Sequence, residues 1–213
     1  MKKQNSYLIL NKTNWKRKEH FEFFHAFAAP CWGLSTQVNC TKAYQYCKAY
    51  GVSFFYYYLY LSLKAINHLQ AFRLRIDGIE VQEYEEVDGS ITVLRPDETF
   101  GFAYFDYAKT FKEFEDLAKM KINEEKNKRG LKTESDRKDV IHYSVMPYLS
   151  FSQMQHAQYA FGNDSIPKIT FGKYQTQGSQ LFLPLSIHVH HGLCDGIDIG
   201  KFISLFQHYL EFG

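Results

Sequence analysis

The 213-residue chain has no surplus of either charge: 25 Lys plus Arg stand against 23 Asp plus Glu. A nucleic-acid binder held by counterion release needs a basic excess or a basic stripe, so the balance argues against that class. Cysteine is sparse. Cys31, Cys40, Cys47 and Cys194 include no C-x-x-C pair, and a chain this long builds a core without covalent staples, so reduced thiols are expected. Long apolar runs are missing as well. Tyr7 to Leu10 is followed at once by Asn11 and Lys12, whereas a secretory h-region needs ~7–15 apolar residues. The longest uncharged stretch, Ala49 to Leu63, has 15 residues, short of the ~20 that span a bilayer. The five prolines are scattered, and no repeat or low-complexity linker divides the chain. A single domain over residues 1–213 is expected, in a soluble, cytoplasmic protein with no membrane partner.

Apolar residues make up 45% and charged residues 23%, ordinary globular values, while aromatics reach 17%. Such ring content fits an aromatic core and interface, or a pocket for an apolar ligand. Val52 to Leu69 reads as a helix buried over a wide face, and Phe111 to Arg129 as an amphipathic helix stopped by Gly130. Phe72 to Tyr84 and Ser90 to Arg95 read as strands separated by an Asp88-Gly89 turn. Further strands are expected at Ile141 to Met146, Lys168 to Tyr174 and Leu181 to His191, and a last helix at Ile197 to Leu210. Strands and helices mix without strict βαβ alternation. The expected architecture is therefore α/β, a mixed sheet covered by helices on one face.

The informative segment is Leu181-Phe182-Leu183-Pro184-Leu185-Ser186-Ile187-His188-Val189-His190-His191. Alternate side chains of a strand share a face, which groups Leu181, Leu183, Leu185, Ile187, Val189 and His191 and turns His188 and His190 the other way. His191 ends an apolar stripe just before Gly192-Leu193-Cys194-Asp195-Gly196. Partial desolvation there favours the neutral imidazole that a general base requires. Three readings stand side by side: a core histidine bonded to a backbone carbonyl, a metal site on His188 and His190 that lacks an obvious third ligand, and a catalytic base at His191.

His190-His191-Gly192-Leu193-Cys194-Asp195-Gly196 resembles the H-H-x-x-x-D-G signature shared by chloramphenicol acetyltransferases and dihydrolipoyl acyltransferase cores. Phe171 to Gly178 and Asn14-Trp15-Lys16-Arg17-Lys18-Glu19-His20-Phe21-Glu22-Phe23, followed by Pro30-Cys31, resemble the antibiotic enzymes more closely. The resemblance covers essentially the whole chain. It implies a two-layer α/β sandwich of the CoA-dependent acyltransferase fold, acetyl-CoA as co-substrate with no permanently bound cofactor or metal, and a homotrimer with sites at subunit interfaces. The implied activity is O-acetylation of chloramphenicol or a related hydroxylated antibiotic, and hence antibiotic resistance. The alternatives are a related acyltransferase with another acceptor, or a non-catalytic ligand-binding protein on the same fold.

Carried over by position, the resemblance makes His191 the general base and Ser144 the donor to the tetrahedral oxyanion. Asp195 and Arg17 would pair to hold the turn. Thr170 would help to hold the acceptor through water, and Tyr174 would lie against the CoA adenine. Phe24, Cys31, Met154 and His156 fall at acceptor-pocket positions. Three of these depart from the family: Phe24 replaces a tyrosine, His156 a leucine and Met154 a phenylalanine. Ser53 stands where well-known members carry a lysine that neutralises the CoA 3′-phosphate. The departures leave the histidine chemistry in place and bear on which acceptor is used.

Overall fold

A computed structural model describes residues 5–134, 136–158 and 164–213. Ten strands and six helices follow one another along it: β1 (Tyr7–Ile9), α1 (Lys18–His25), β2 (Cys31–Asn39), α2 (Thr41–Tyr50), α3 (Phe54–Asn67), α4 (Gln70–Arg73), β3 (Leu74–Asp77), β4 (Glu80–Tyr84), β5 (Asp88–Leu94), β6 (Phe100–Phe105), α5 (Phe111–Lys126), β7 (Val140–Met146), β8 (Lys168–Gly172), β9 (Gln175–Gln177), β10 (Gln180–His190) and α6 (Gly196–Phe212). The larger sheet runs β2-β10-β8-β7-β5-β6, with β9 added to β10. Its β5–β7 and β7–β8 pairs are parallel and the rest antiparallel, so the sheet is mixed.

Burial follows the alternation of side chains. Leu183, Leu185, Ile187 and Val189 of β10 are fully buried in one core with Ile169 and Phe171 of β8, Tyr143 of β7 and Ile91 of β5. The other side of that core is supplied by helices. In α3 every residue from Tyr57 to Leu63 is buried, as are Ala65 and Ile66, which suits a helix wedged between the sheet and its neighbours rather than an amphipathic surface helix. Ile199, Phe202, Phe206 and Leu210 of α6, spaced at three and four residues, complete the layer. The opposite face of the sheet carries Ser90, His142, Ser144, Lys168, Thr170, Ser186, His188 and His190, side by side in register. One face is thus core and the other polar.

A smaller sheet, β1-β4-β3, has its own cluster of Phe21, Leu74, Ile76, Val81 and Leu193, joined by Leu10 and Trp15. It packs α1 and the turn after β10 against each other. The buried Arg75 guanidinium ties it to the larger sheet by donating to the carbonyls of Lys138 and Val140.

Three boundaries differ from expectation. Phe72 to Tyr84 is not one strand: it ends a helical turn and then folds as the β3–β4 hairpin, reversing at Gly78, where φ is +59°. Asp88 and Gly89 do not form a turn but open β5. The Asp88 carboxylate accepts from the Tyr107 amide at 2.7 Å and pairs with Arg137, leaving it no part in a hairpin. Gly89 is needed for close approach, because a Cβ there would lie 2.2 Å from the Phe105 ring. The amphipathic helix stops at Lys126 rather than at Arg129, closed by Asn127.

Gly89→Ala should therefore lower stability by about 1–3 kcal/mol through overpacking. Urea or thermal unfolding would read the shift; an unchanged midpoint would contradict the crowding against Phe105.

Candidate active site

β10 ends at His190, and His191 is the first residue of the turn that leads into α6. Its amide donates to the Pro30 carbonyl at 2.9 Å. Its imidazole stacks on Phe24, with centroids 4.0 Å apart and planes 7° from parallel, and meets Trp32 at 5.1 Å. Trp32 is paired with Val189 in register, and its indole N–H donates to the Cys194 carbonyl at 3.1 Å. The ring is therefore clamped on two sides by aromatic surface. Nδ1 is buried with no hydrogen-bond partner among the described residues. A buried polar atom left unbonded costs ~1–3 kcal/mol, and such costs concentrate at sites under functional constraint.

The turn is held by Arg17, one residue before α1. Its guanidinium donates to the His191 carbonyl at 2.9 Å, to the Gly192 carbonyl at 3.5 Å, and to the Asp195 carboxylate. Asp195 also accepts from the Ile197 amide, while Asp198 accepts from the Asp195 amide, closing a capping box on α6. Partial burial raises the Asp195 pKa, but the hydrogen bond and charge of Arg17 outweigh it, and the net effect is downward. His190, facing away, accepts from the Gly192 amide through Nδ1 at 3.1 Å.

A second cluster lies on the polar face of the sheet. Ser144, Thr170 and Ser186 sit side by side on β7, β8 and β10. The Ser144 hydroxyl accepts from Thr92 at 3.3 Å, and Thr170 Oγ1 lies 3.0 Å from Nε2 of His156. His156 packs edge-on against His188 at 4.9 Å. Burial, reinforced by the positive charge of Lys168, lowers His142 to about 4; burial and the neighbouring His188 do the same to His156. A groove of about 510 Å³ opens beside this cluster, bounded by Cys31, Gly33, Ser35, Met154, Gln155 and His188. A second, of about 530 Å³, continues past Ser152 to Gln175. Tyr174, next to it, is 37% exposed; its hydroxyl donates to Tyr44 and its ring packs with Tyr44 and Phe54.

Ser144 is far from His191 within one chain. From Ser186 to His191 is five residues at about 3.3 Å each, and from β10 to β7 is two strand spacings of about 4.8 Å, so Ser144 lies roughly 19 Å from His191. All four cysteines are free. Burial raises Cys31 to about 11 and Cys194 well above its ordinary value, so neither offers a thiolate near neutral pH.

With this geometry in hand, comparison with known proteins is decisive. The model of the chloramphenicol acetyltransferase family matches residues 5–207. The chain belongs to that family. Among its relatives, the chloramphenicol acetyltransferase of Proteus mirabilis is 27% identical, with 97% of this chain and 95% of the relative covered. Chloramphenicol acetyltransferase 3 of Escherichia coli is 28% identical over 95% of this chain and 96% of its own length. A solved chloramphenicol acetyltransferase superposes with a TM-score of 0.86, at 28% identity over 96% of this chain and all of the other. The dihydrolipoamide acetyltransferase of Azotobacter vinelandii, at a TM-score of 0.66 and 14% identity over 91% of this chain and 86% of its own, shares the fold alone. Among the described residues, no helix is long and apolar enough to cross a membrane.

Trp32 and Gly33 were not among the residues singled out from the sequence, and His188 was weighed there only as a metal ligand beside His190. An isolated glycine inside a strand pattern was the available signal, since it marks a close approach.

Two predictions follow from the charges. Arg17→Ala and Asp195→Asn should be non-additive in a double-mutant cycle of unfolding free energies, because each removes the same pair; coupling near zero would contradict it. Because Asp195 is lowered in the folded chain, the pair's contribution is complete at neutral pH and lost as pH falls through that lowered value. His142 adds a second dependence. With an unfolded value of 6.5 and a folded one of about 4, unfolding takes up a proton between these limits, so stability falls as pH drops through that window. His142→Asn should flatten the dependence in thermal melts between pH 7 and 4.5.

Proposed function

We propose that the chain transfers the acetyl group of acetyl-CoA to a hydroxyl of chloramphenicol or a related hydroxylated antibiotic, an activity that confers resistance. The observation that carries this reading is the imidazole just beyond β10, clamped by Phe24 and Trp32 with its Nδ1 buried and unbonded, so that Nε2 is the nitrogen to meet the hydroxyl. His191 takes the hydroxyl proton as the oxygen attacks the thioester carbonyl, and a tetrahedral oxyanion forms. Its collapse breaks the C–S bond, and the imidazolium returns the proton to the CoA thiolate. Both substrates are bound together, and the raised thiols of Cys31 and Cys194 favour this route over an acyl-enzyme. Arg17 and Asp195 keep the turn in shape and move no proton.

Ser144 is assigned to the oxyanion, where one donor is worth ~2.7–4 kcal/mol. A separation of roughly 19 Å, from strand rise and spacing, argues against Ser144 and His191 of one chain meeting at one reacting atom. That distance supports a site completed between copies, with His191 of one facing the acceptor pocket of Ser144, Thr170, Met154, His156 and Cys31 of the next, in a homotrimer. Tyr174 lies against the CoA adenine. A different acceptor is the second reading, favoured by His156, which occupies the Thr170 hydroxyl.

His191→Ala should lower kcat by ~10²–10⁴-fold, with acetyl-CoA-dependent thiol release as the measurement; activity within threefold of wild type refutes the base. His190→Ala should cost less, acting through the turn. Light scattering should give the mass of three chains. Co-expressed His191→Ala and Ser144→Ala chains should regain about a quarter of wild-type activity, since one interface in four then pairs an intact histidine with an intact serine. No recovery in mixed oligomers would overturn the shared site.

A further inference from the structure

The groove beside β10 has a floor built around one side chain. Gly33 is paired with His188 across β2 and β10. A Cβ on Gly33 would stand 2.6 Å from Cγ and Cδ2 of the His188 ring. The imidazole therefore packs against the β2 backbone in space that only glycine leaves free. On one side Nδ1 is 3.4 Å from the hydroxyl of Ser186, which is wholly buried. On the other, His156 packs edge-on at 4.9 Å and is itself fixed to Thr170. The ring has no freedom to flip without losing the Ser186 bond. Burial, followed by the charge of Lys168, lowers its pKa and keeps it neutral. A neutral imidazole that accepts at Nδ1 carries its proton on Nε2. Lys168 is paired with Asp164 at 2.6 Å, and with the Ser186 hydroxyl as donor to Nδ1 the ring brings an Nε2–H to the groove it lines.

We infer that His188 is a specificity-determining residue, whose Nε2–H meets a hydrogen-bond-accepting group on the acyl acceptor away from the reacting hydroxyl. The inference rests on the acetyltransferase reading and narrows it: the acceptor is a polar alcohol, carrying a carbonyl, nitro or second hydroxyl group, and not an apolar one. Serine and glutamine side chains around the groove, Ser35, Ser152, Gln153 and Gln155, are of the same character. About 510 Å³ is room for a drug-sized molecule.

The test compares two alcohols, chloramphenicol and 3-phenylpropanol, by thiol release at saturating acetyl-CoA. The wild type should favour chloramphenicol in kcat/KM. His188→Leu, which keeps the volume and removes the donor, should reduce that preference by roughly three- to tenfold, chiefly through the KM for chloramphenicol. His188→Gln, whose amide reaches the same point, should restore it. A preference unchanged in His188→Leu, with a wild-type melting temperature, overturns the inference while the acetyltransferase reading stands. If the leucine chain does not fold, the glutamine variant decides: a preference lost despite the retained donor and a wild-type melt overturns the inference. No turnover of either alcohol, or of any hydroxylated antibiotic, by the wild type overturns the acetyltransferase reading and this inference with it.

Discussion

The guanidinium of Arg17 is the interaction on which the site's shape depends. It lies just before α1, yet its partners are the His191 and Gly192 carbonyls and the Asp195 carboxylate, about 175 residues further along the chain. A short turn between the longest strand and the longest helix has few hydrogen bonds of its own. Here the carbonyls that a turn leaves without partners are taken by a cation, and the carboxylate that neutralises the cation also caps α6. Side-chain exposures of 19% for Arg17 and 32% for Asp195 leave the pair partly wet. It contributes less than a dry pair would, and the loss of one partner strands no fully buried charge. Its importance is geometric: it fixes where the imidazole points.

The smaller sheet explains why Arg17 is there at all. Phe21 of α1 and Leu193 of the turn share an apolar cluster with Leu74, Ile76 and Val81. Burial of that cluster brings α1 to the end of β10, and the hydrogen bonds of Arg17 then select one arrangement. Non-directional burial supplies the proximity, and directional bonds supply the orientation.

Much of this was legible in the sequence, for identifiable reasons. The β10 alternation from Leu183 to Val189 is strict because one face is core, and a strand with one buried face leaves little choice of register. Helices α3, α5 and α6 announce themselves by apolar spacing, and the motif around His191 is local. What was not legible depends on partners distant in sequence. Asp88-Gly89 has the composition of a turn, and nothing nearby reveals that Arg137 and the Tyr107 amide hold the carboxylate or that Phe105 needs the glycine's space. Gly33 and Trp32 acquire meaning only when β2 is laid beside β10. Phe24 was placed in the acceptor pocket, and its stacking on His191 is a contact that its position in the chain does not disclose.

The layout has a consequence for how such a protein can change. The proposed base, His191, hangs on the turn beyond β10, whereas the groove is bounded by β2, by residues 152–155 and by His188 two residues inside the strand. The segment carrying Met154 and His156 makes no regular strand or helix. Substitutions there disturb no ladder hydrogen bonds and none of the bonds that Arg17 makes. The lining of the groove can therefore drift at low cost in stability, while His191 and the bonds that Arg17 makes to its turn stay where they are. On the reading proposed above, such a chain can change which acceptor it takes one side chain at a time while its turn and its imidazole keep their places.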